Sequence, residues 1–139
     1  MQKENNLKKK IIEEMTVSHA SALEKNFELA KQFVRITSEG KIDVLIKDKL
    51  VGKDQILLYL IGKVYAQEAG LTPVYEVGNK ELTDELGVPK GSLLPWLKEL
   101  RDGNKIKTVD RGKYAYHSIS LNALEKTLKN IQKKISKAS

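Results

Sequence analysis

The segment from Asn79 to Tyr116 constrains the fold more than any other part of this chain. Its pattern predicts a short helix, a tight turn at Gly87, a second helix and a two-stranded hairpin. Asn79 is the expected N-cap of the first helix, because its side-chain oxygen can accept a backbone N–H of the first turn. Gly87 is expected to end that helix, since glycine adopts left-handed backbone without a steric penalty. Residues 110–112, Asp-Arg-Gly, are a turn signal between the two predicted strands.

The second helix of this segment combines an apolar stripe with a proline near its start. Pro95 has no backbone N–H, and a helix tolerates proline best in its first turn. We therefore predict that Ser92 is the N-cap and that the helix begins after it. Leu94 and Pro95 then lie on the outward face, which makes that face less polar than one that reads base edges. The stripe consists of Leu93, Trp96, Leu97 and Leu100.

A broad apolar helix is predicted upstream, from Lys53 to Ala69, with Gly70 just beyond its end. Three helices followed by a basic hairpin, over Lys53 to Ile119, resemble the winged helix-turn-helix family, and within it prokaryotic transcriptional regulators. The cysteine-free composition, rich in lysine and glutamate, favours an archaeal member. The resemblance implies an α+β fold, mainly α, with residues 47–119 as the winged domain. It also implies a DNA-binding protein that serves as a transcriptional regulator or an architectural factor.

The same resemblance implies that double-stranded DNA is the partner and that its backbone is the main contact. In such proteins the last of the three helices, which is the second helix of the Asn79–Tyr116 segment, enters the major groove. Lys90 and Ser92 lie at the end of that helix which faces the bases, and basic side chains of the wing suit phosphate oxygens. The candidate nucleic-acid-binding residues are Lys80, Lys90, Ser92, Lys98, Arg101, Lys107, Arg111 and Lys113. The alternative is a winged-helix module that binds other proteins without DNA, which Leu94 and Pro95 favour.

Two extensions flank the predicted winged domain. Residues 1–46 are predicted to form a long helix over residues 3–31, with a weak spot at residues 16–18, and then a β-hairpin that turns at Gly40. Residues 120–139 are predicted to form a C-terminal helix with Ser120 as its N-cap.

The C-terminal helix carries an apolar seam at alternating spacings of three and four residues, as in a coiled coil. The seam consists of Leu121, Leu124, Leu128, Ile131 and Ile135. Two heptads are short for a free coiled coil, so the seam has two interpretations. It is either a homodimer contact supported by other surfaces, which we prefer, or a surface that packs on the N-terminal helix of the same chain.

Nothing in the sequence points to an enzyme. The chain has no cysteine, and its two histidines, His19 and His117, are far apart and have no metal-ligand spacing. His117, at the end of the second wing strand, is expected at the surface or at a sheet edge. The glycines form no phosphate-binding motif, and the acidic pairs are interleaved with lysine on predicted helix faces. We therefore predict no catalytic residue, no metal site and no cofactor.

Charge and hydropathy favour a cytoplasmic protein that binds a polyanion. The formal net charge is +7, and residues 119–139 alone hold five lysines against one glutamate. A basic balance attracts nucleic acid, although lysine-rich helix faces are also common solubilising surfaces. The longest apolar run, Ile56 to Ile61, is too short to span a membrane, and the N-terminus does not resemble a signal peptide. We therefore predict no membrane contact.

Overall fold

A computed structural model describes residues 2–15 and 19–138 of the chain. The architecture is mixed α+β and mainly helical, with two small antiparallel sheets, which confirms the predicted class at that level. In chain order the helices and strands are α1 (Gln2–Lys10), α2 (His19–Lys25), α3 (Phe27–Ala30), β1 (Val34–Ile36), β2 (Ile42–Val44), α4 (Gly52–Glu68), β3 (Val77–Gly78), α5 (Asn79–Leu86), α6 (Lys90–Asp102), β4 (Ile106–Arg111), β5 (Tyr114–Ile119) and α7 (Leu121–Ala138). A π-helical turn (Ile11–Met15) follows α1, and a 3-10 turn (Lys47–Lys49) precedes α4. Among the described residues, no helix combines the length and the hydropathy needed to cross a bilayer.

The N-terminal part is divided, where one long helix over residues 3–31 was predicted. It consists of α1, the π-helical turn, α2 and α3, and the predicted weak spot at residues 16–18 lies outside the described residues. Between α2 and α3, Asn26 Nδ2 donates to the Ala22 carbonyl at 2.9 Å. Such side-chain bonds compete with the helical pattern. The hairpin that follows is confirmed, because β1 pairs antiparallel with β2 and Gly40 turns at a φ of +84°.

Helix α4 is the centre of the hydrophobic core. Its fully buried side chains include Ile56, Leu58, Leu60 and Ile61, which point in different directions around the helix. Strands β1, β2 and β5 and helices α5, α6 and α7 all pack on it. This arrangement explains why the α4 sequence is apolar over most of its circumference. One continuous core therefore includes residues from all three predicted segments, 1–46, 47–119 and 120–139.

Helix α7 uses its apolar seam within its own chain. Leu124, Leu128 and Ile131 are buried in the core, while Leu121 and Ile135 are half-buried. The seam packs on α2, α3 and α4, so the predicted homodimer through this seam is not supported. Packing within one chain was the other interpretation, and it holds because the short helices α2 and α3 leave an apolar surface that α7 covers.

The second sheet has the strand order β3-β5-β4. The predicted hairpin is confirmed as β4 and β5, with Arg111 paired to Tyr114 and Ile106 paired to Ile119. Its turn lies later than the signal at residues 110–112 indicated, because the two loop residues are Gly112 and Lys113. Gly112 has a φ of +64°, which suits a tight two-residue loop.

Candidate nucleic-acid interface

Helix α6 begins at Lys90, so the prediction that it starts after Ser92 is wrong. Pro89 is the N-cap residue, and its carbonyl accepts bonds from the N–H groups of Ser92 and Leu93 at 3.0 and 3.1 Å. Pro95 therefore lies in the second turn, where a missing N–H leaves the Gly91 carbonyl without its helical donor. Gly91 is exposed, so water can bind that carbonyl. Burial of Leu93 in the core favours the earlier start and outweighs the preference of proline for a first turn.

Packing of α6 against α4 decides which of its faces is free. A Cβ added at Gly52 would lie 2.2 Å from the Trp96 ring, so the indole packs directly on the first residue of α4. Lys53 Nζ forms an ion pair with Glu99 at 2.6 Å beside this contact. The predicted stripe is thereby directed inward, and Leu94, Pro95 and Lys98 are exposed on the opposite side.

Asn79 and His117 join the first turn of α5 to the β4–β5 hairpin. Gly78, not Asn79, is the N-cap residue of α5, so that prediction is wrong. Asn79 Oδ1 lies 2.6 Å from His117 Nε2, and His117 Nδ1 lies 2.9 Å from Thr108 Oγ1. Because the amide oxygen only accepts, Nε2 donates and Nδ1 accepts from the threonine hydroxyl.

His117 is 1% exposed, which corrects the expectation of a surface or edge position. The alternation of side chains along a strand could have predicted this burial, because His117 lies on the same inward face of β5 as Ile119. Burial lowers the pKa of His117 to about 4, and the Arg101 charge acts in the same direction. The ring is therefore neutral at pH 7, in agreement with its hydrogen bonds.

A groove of about 940 Å³ lies between α5, the first turns of α6 and strand β5. Lys90 from α6 and Lys113 from the hairpin loop both line it, and so do Leu94 and Tyr114. Its charged lining residues are Lys80, Lys90, Lys113, Glu81, Asp84 and Glu85. The groove therefore combines equal numbers of basic and acidic side chains with two exposed apolar ones.

Three of the predicted phosphate ligands already have a carboxylate partner. Lys80 pairs with Asp84 at 2.7 Å and Lys98 pairs with Asp102 at 3.0 Å, each one turn along its own helix. The hydrogen bond and the charge of Asp84 raise the pKa of Lys80. Exposed pairs of this kind contribute little to stability, so a phosphate can replace the carboxylate.

Arg111 is held more firmly than these lysines. Its guanidinium is 5.8 Å from the centre of the Tyr116 ring and 2.7 Å from Glu76, whose side chain is mostly buried. The side chain therefore lies along the outer face of the sheet, across β5 toward β3. It braces the hairpin, and it is a weaker candidate for phosphate binding than its position near the turn indicated.

The other predicted basic ligands are exposed and, within residues 2–15 and 19–138, form no ion pair. They are Lys90, Arg101, Lys107 and Lys113. Only Lys90 and Lys113 among these four line the groove, together with Lys80. Ser92 is half-buried in the first turn of α6. Arg101 lies near the far end of α6, and Lys107 lies on β4.

The position of α5 is fixed by a cluster of polar groups at the edge of the core. Tyr59 Oη donates to Glu81 at 2.5 Å, and Lys63 Nζ lies 3.3 Å from the same carboxylate. Burial, reinforced by the hydrogen bond to Glu81, raises the pKa of Tyr59. These contacts hold α5 on α4, so Lys80 and the groove have a rigid base. In the described part of the chain, no group of histidine, aspartate and glutamate side chains could hold a metal ion.

Comparison of the chain with family models, with curated proteins and with solved structures gives no match.

Proposed function

We propose that this chain binds double-stranded DNA through a winged helix-turn-helix unit and acts as a transcriptional regulator or an architectural factor. The unit comprises α4, α5 and α6, with the β4–β5 hairpin as its wing. The order of elements supports this proposal, and so does the pairing of the short strand β3 with the second wing strand. Helix α6 is the one that would enter the major groove.

The observation that carries the proposal is the shared groove of Lys90 and Lys113. One lysine comes from the first turn of α6 and the other from the wing loop, and neither has a carboxylate partner in the described structure. The partial positive charge at the N-terminus of α6 adds to the attraction. A DNA strand that follows the groove can therefore contact both lysines through its phosphates.

The acidic side chains of the groove limit this affinity. Asp84 and Glu85 line the same space as the two lysines, and Leu94 offers no hydrogen bond to a base edge. We therefore infer contacts that are mainly to the backbone, with weak sequence selectivity.

Titration of the full chain against a random-sequence duplex at several salt concentrations tests the proposal. We expect micromolar binding at low salt that weakens steeply as salt rises, with a log–log slope of roughly −0.9 per phosphate contact. Lys90→Glu combined with Lys113→Glu should weaken binding to every sequence and make the slope less steep. The control is Lys126→Glu, which changes an exposed lysine of α7. Absence of binding at low salt would reject the proposal.

A second candidate is a protein-binding winged helix. The observation that favours it is that Leu94 and Tyr114, both exposed, line the same groove as Asp84 and Glu85. Apolar side chains bordered by charge are typical of protein interfaces. In the duplex titration, Leu94→Ser leaves the affinity unchanged if phosphate contacts dominate. If this second candidate is correct, the parent chain should not bind the duplex.

A further inference from the structure

The N-terminal helix exposes apolar side chains that no extensive contact covers. Among the described elements, α1 packs extensively only on the π-helical turn after it. Leu7, Ile12 and Met15 are 60%, 55% and 78% exposed. Exposed apolar side chains that cluster often mark an interaction surface. Helix α1 has four lysines and one glutamate, and three of the lysines are in its last turn. The π-helical turn adds two glutamates, so residues 2–15 carry a net charge of +1 and the positive charge is concentrated at residues 8–10.

A second groove of the molecule has the complementary character. It lies between α2, α3 and the end of α4, has a volume of about 510 Å³, and has Leu23, Phe27 and Tyr65 among its lining residues. The groove is well formed, because Tyr65 Oη donates to the Leu23 carbonyl at 2.6 Å and the Phe27 and Tyr65 rings are 6.4 Å apart. Phe27 is nevertheless 48% exposed, with the Lys31 ammonium 5.2 Å from the centre of its ring, so the groove has an aromatic wall that is only partly covered.

The rim of this groove is acidic. Glu24, Glu28 and Glu68 are its charged lining residues, and no basic side chain lines it. Glu28 pairs with Lys31 at 2.8 Å, whereas Glu24 and Glu68 form no ion pair within the described residues. An apolar surface with two available carboxylates favours a ligand that is apolar on one side and basic beside it.

We propose that α1 and the π-helical turn of one chain dock in the α2–α4 groove of a second copy, so that two chains associate by exchanging their N-terminal segments. One chain carries both the lysine cluster at residues 8–10 with its flanking apolar side chains and the acidic groove, so a symmetric pair fills both grooves. In the single chain no residue of α1 lines the groove. The lysines at the end of α1 then face Glu24 and Glu68, and the exposed apolar side chains contact Phe27. This association is independent of DNA binding.

Sedimentation velocity of the full chain, from low to high micromolar concentration, tests the proposal. We expect a reversible monomer–dimer equilibrium. Leu7→Asp combined with Met15→Asp should abolish the dimer while helical circular dichroism is kept, because both side chains are exposed in the monomer. The matched control is Leu94→Asp, since Leu94 is also 60% exposed but lies on α6. Monomer at every concentration, or a dimer that survives the double substitution, would overturn the proposal.

A charge exchange between two variants gives the sharper test. Lys9→Glu with Lys10→Glu reverses the charge at the end of α1, and Glu24→Lys with Glu68→Lys reverses the charge of the groove rim. Each variant alone should dimerise about tenfold or more weakly, because like charges then face each other. An equimolar mixture should regain the parent affinity, since both docked segments of the mixed pair are complementary. If the mixture stays as weakly associated as its components, exchange between copies is excluded, and docking of α1 within its own chain is one arrangement that would give this result.

Discussion

Helices α6 and α7 are both amphipathic and both carry lysines, yet the structure uses them differently. Helix α7 buries its seam in the core, and its lysines lie outside the seam, where Lys129 pairs with Glu125 of the same helix and Lys134 pairs with the buried Asp54 of α4. Helix α6 also buries its stripe, but its first turn borders a groove that the hairpin loop closes from the other side. The larger excess of positive charge is therefore on α7, which does not border this groove. Net charge indicates a polyanion partner, but it does not indicate the surface that binds one.

The largest expected difference between the two helices is in the cost of removing a leucine. Leu128 of α7 is fully buried, so Leu128→Ala should lower the free energy of unfolding by about 2–5 kcal/mol. Leu94 of α6 is exposed, and Leu94→Ala should change it by less than about 0.5 kcal/mol. Urea denaturation measures both. A small effect at Leu128 would show that α7 is loosely attached to the core.

Acid should destabilise the side of the molecule where the hairpin meets α5. The pKa of His117 is about 4 in the folded chain and near 6.5 when unfolded, so the unfolded chain binds more protons between these values. This contribution to stability is complete above pH 6.5 and is lost as the pH falls toward 4, by about 3 kcal/mol in total. His117→Gln should flatten the dependence between pH 6.5 and 5. An unchanged slope in this variant would remove His117 as its source.

Replacing the proline of α6 should stabilise that helix, whereas α7 contains no proline. Pro95→Ala restores the N–H that bonds to the Gly91 carbonyl and removes the ring from the second turn. We expect a gain of about 1–2 kcal/mol in the free energy of unfolding, less than the full helical penalty of proline because the unfolded chain becomes more flexible. Thermal denaturation tests this. A loss of stability would indicate that Pro95 itself makes a stabilising packing contact.

The smallest expected contrast concerns two lysine ion pairs. Asp54 is buried on α4 and its carboxylate is 2.8 Å from Lys134 of α7, whereas the Lys98–Asp102 pair of α6 is exposed on both sides. Lys134→Met should therefore cost about 1 kcal/mol, and Lys98→Met a few tenths at most. Salt should weaken the second effect further. Equal costs would mean that the Asp54 carboxylate is solvated after the substitution.

Much of the fold is predictable because its signals are local. The end of α5 at Gly87, the turn at Gly40 and the span of α4 depend on glycine conformation and on hydropathy over a few residues. The start of α6 is not predictable in this way. The proline rule places it after Ser92, but burial of Leu93 in the core adds a turn at the beginning. The role of Asn79 was missed for the same reason, because its partner His117 is 38 residues away.

The candidate site is predictable as a set of residues but not as an arrangement. The sequence alone identifies the basic residues on α5, α6 and the hairpin, because lysine and arginine are recognised by type. Their availability depends on neighbours: Arg111 lies across Tyr116 to Glu76, while Lys90 and Lys113 come from distant segments to line one groove.

The sequence by itself determined most of the helices and strands, their amphipathic faces and the positive charge. Only the tertiary structure decided what each apolar face contacts. The α7 seam has the spacing of a coiled coil, and that spacing suits a second chain and the same chain equally well. The choice depends on whether α2, α3 and α4 present an uncovered apolar surface within reach, and the burial of Leu124, Leu128 and Ile131 shows that they do. Periodicity describes one side of a contact, and the other side is defined only by the fold.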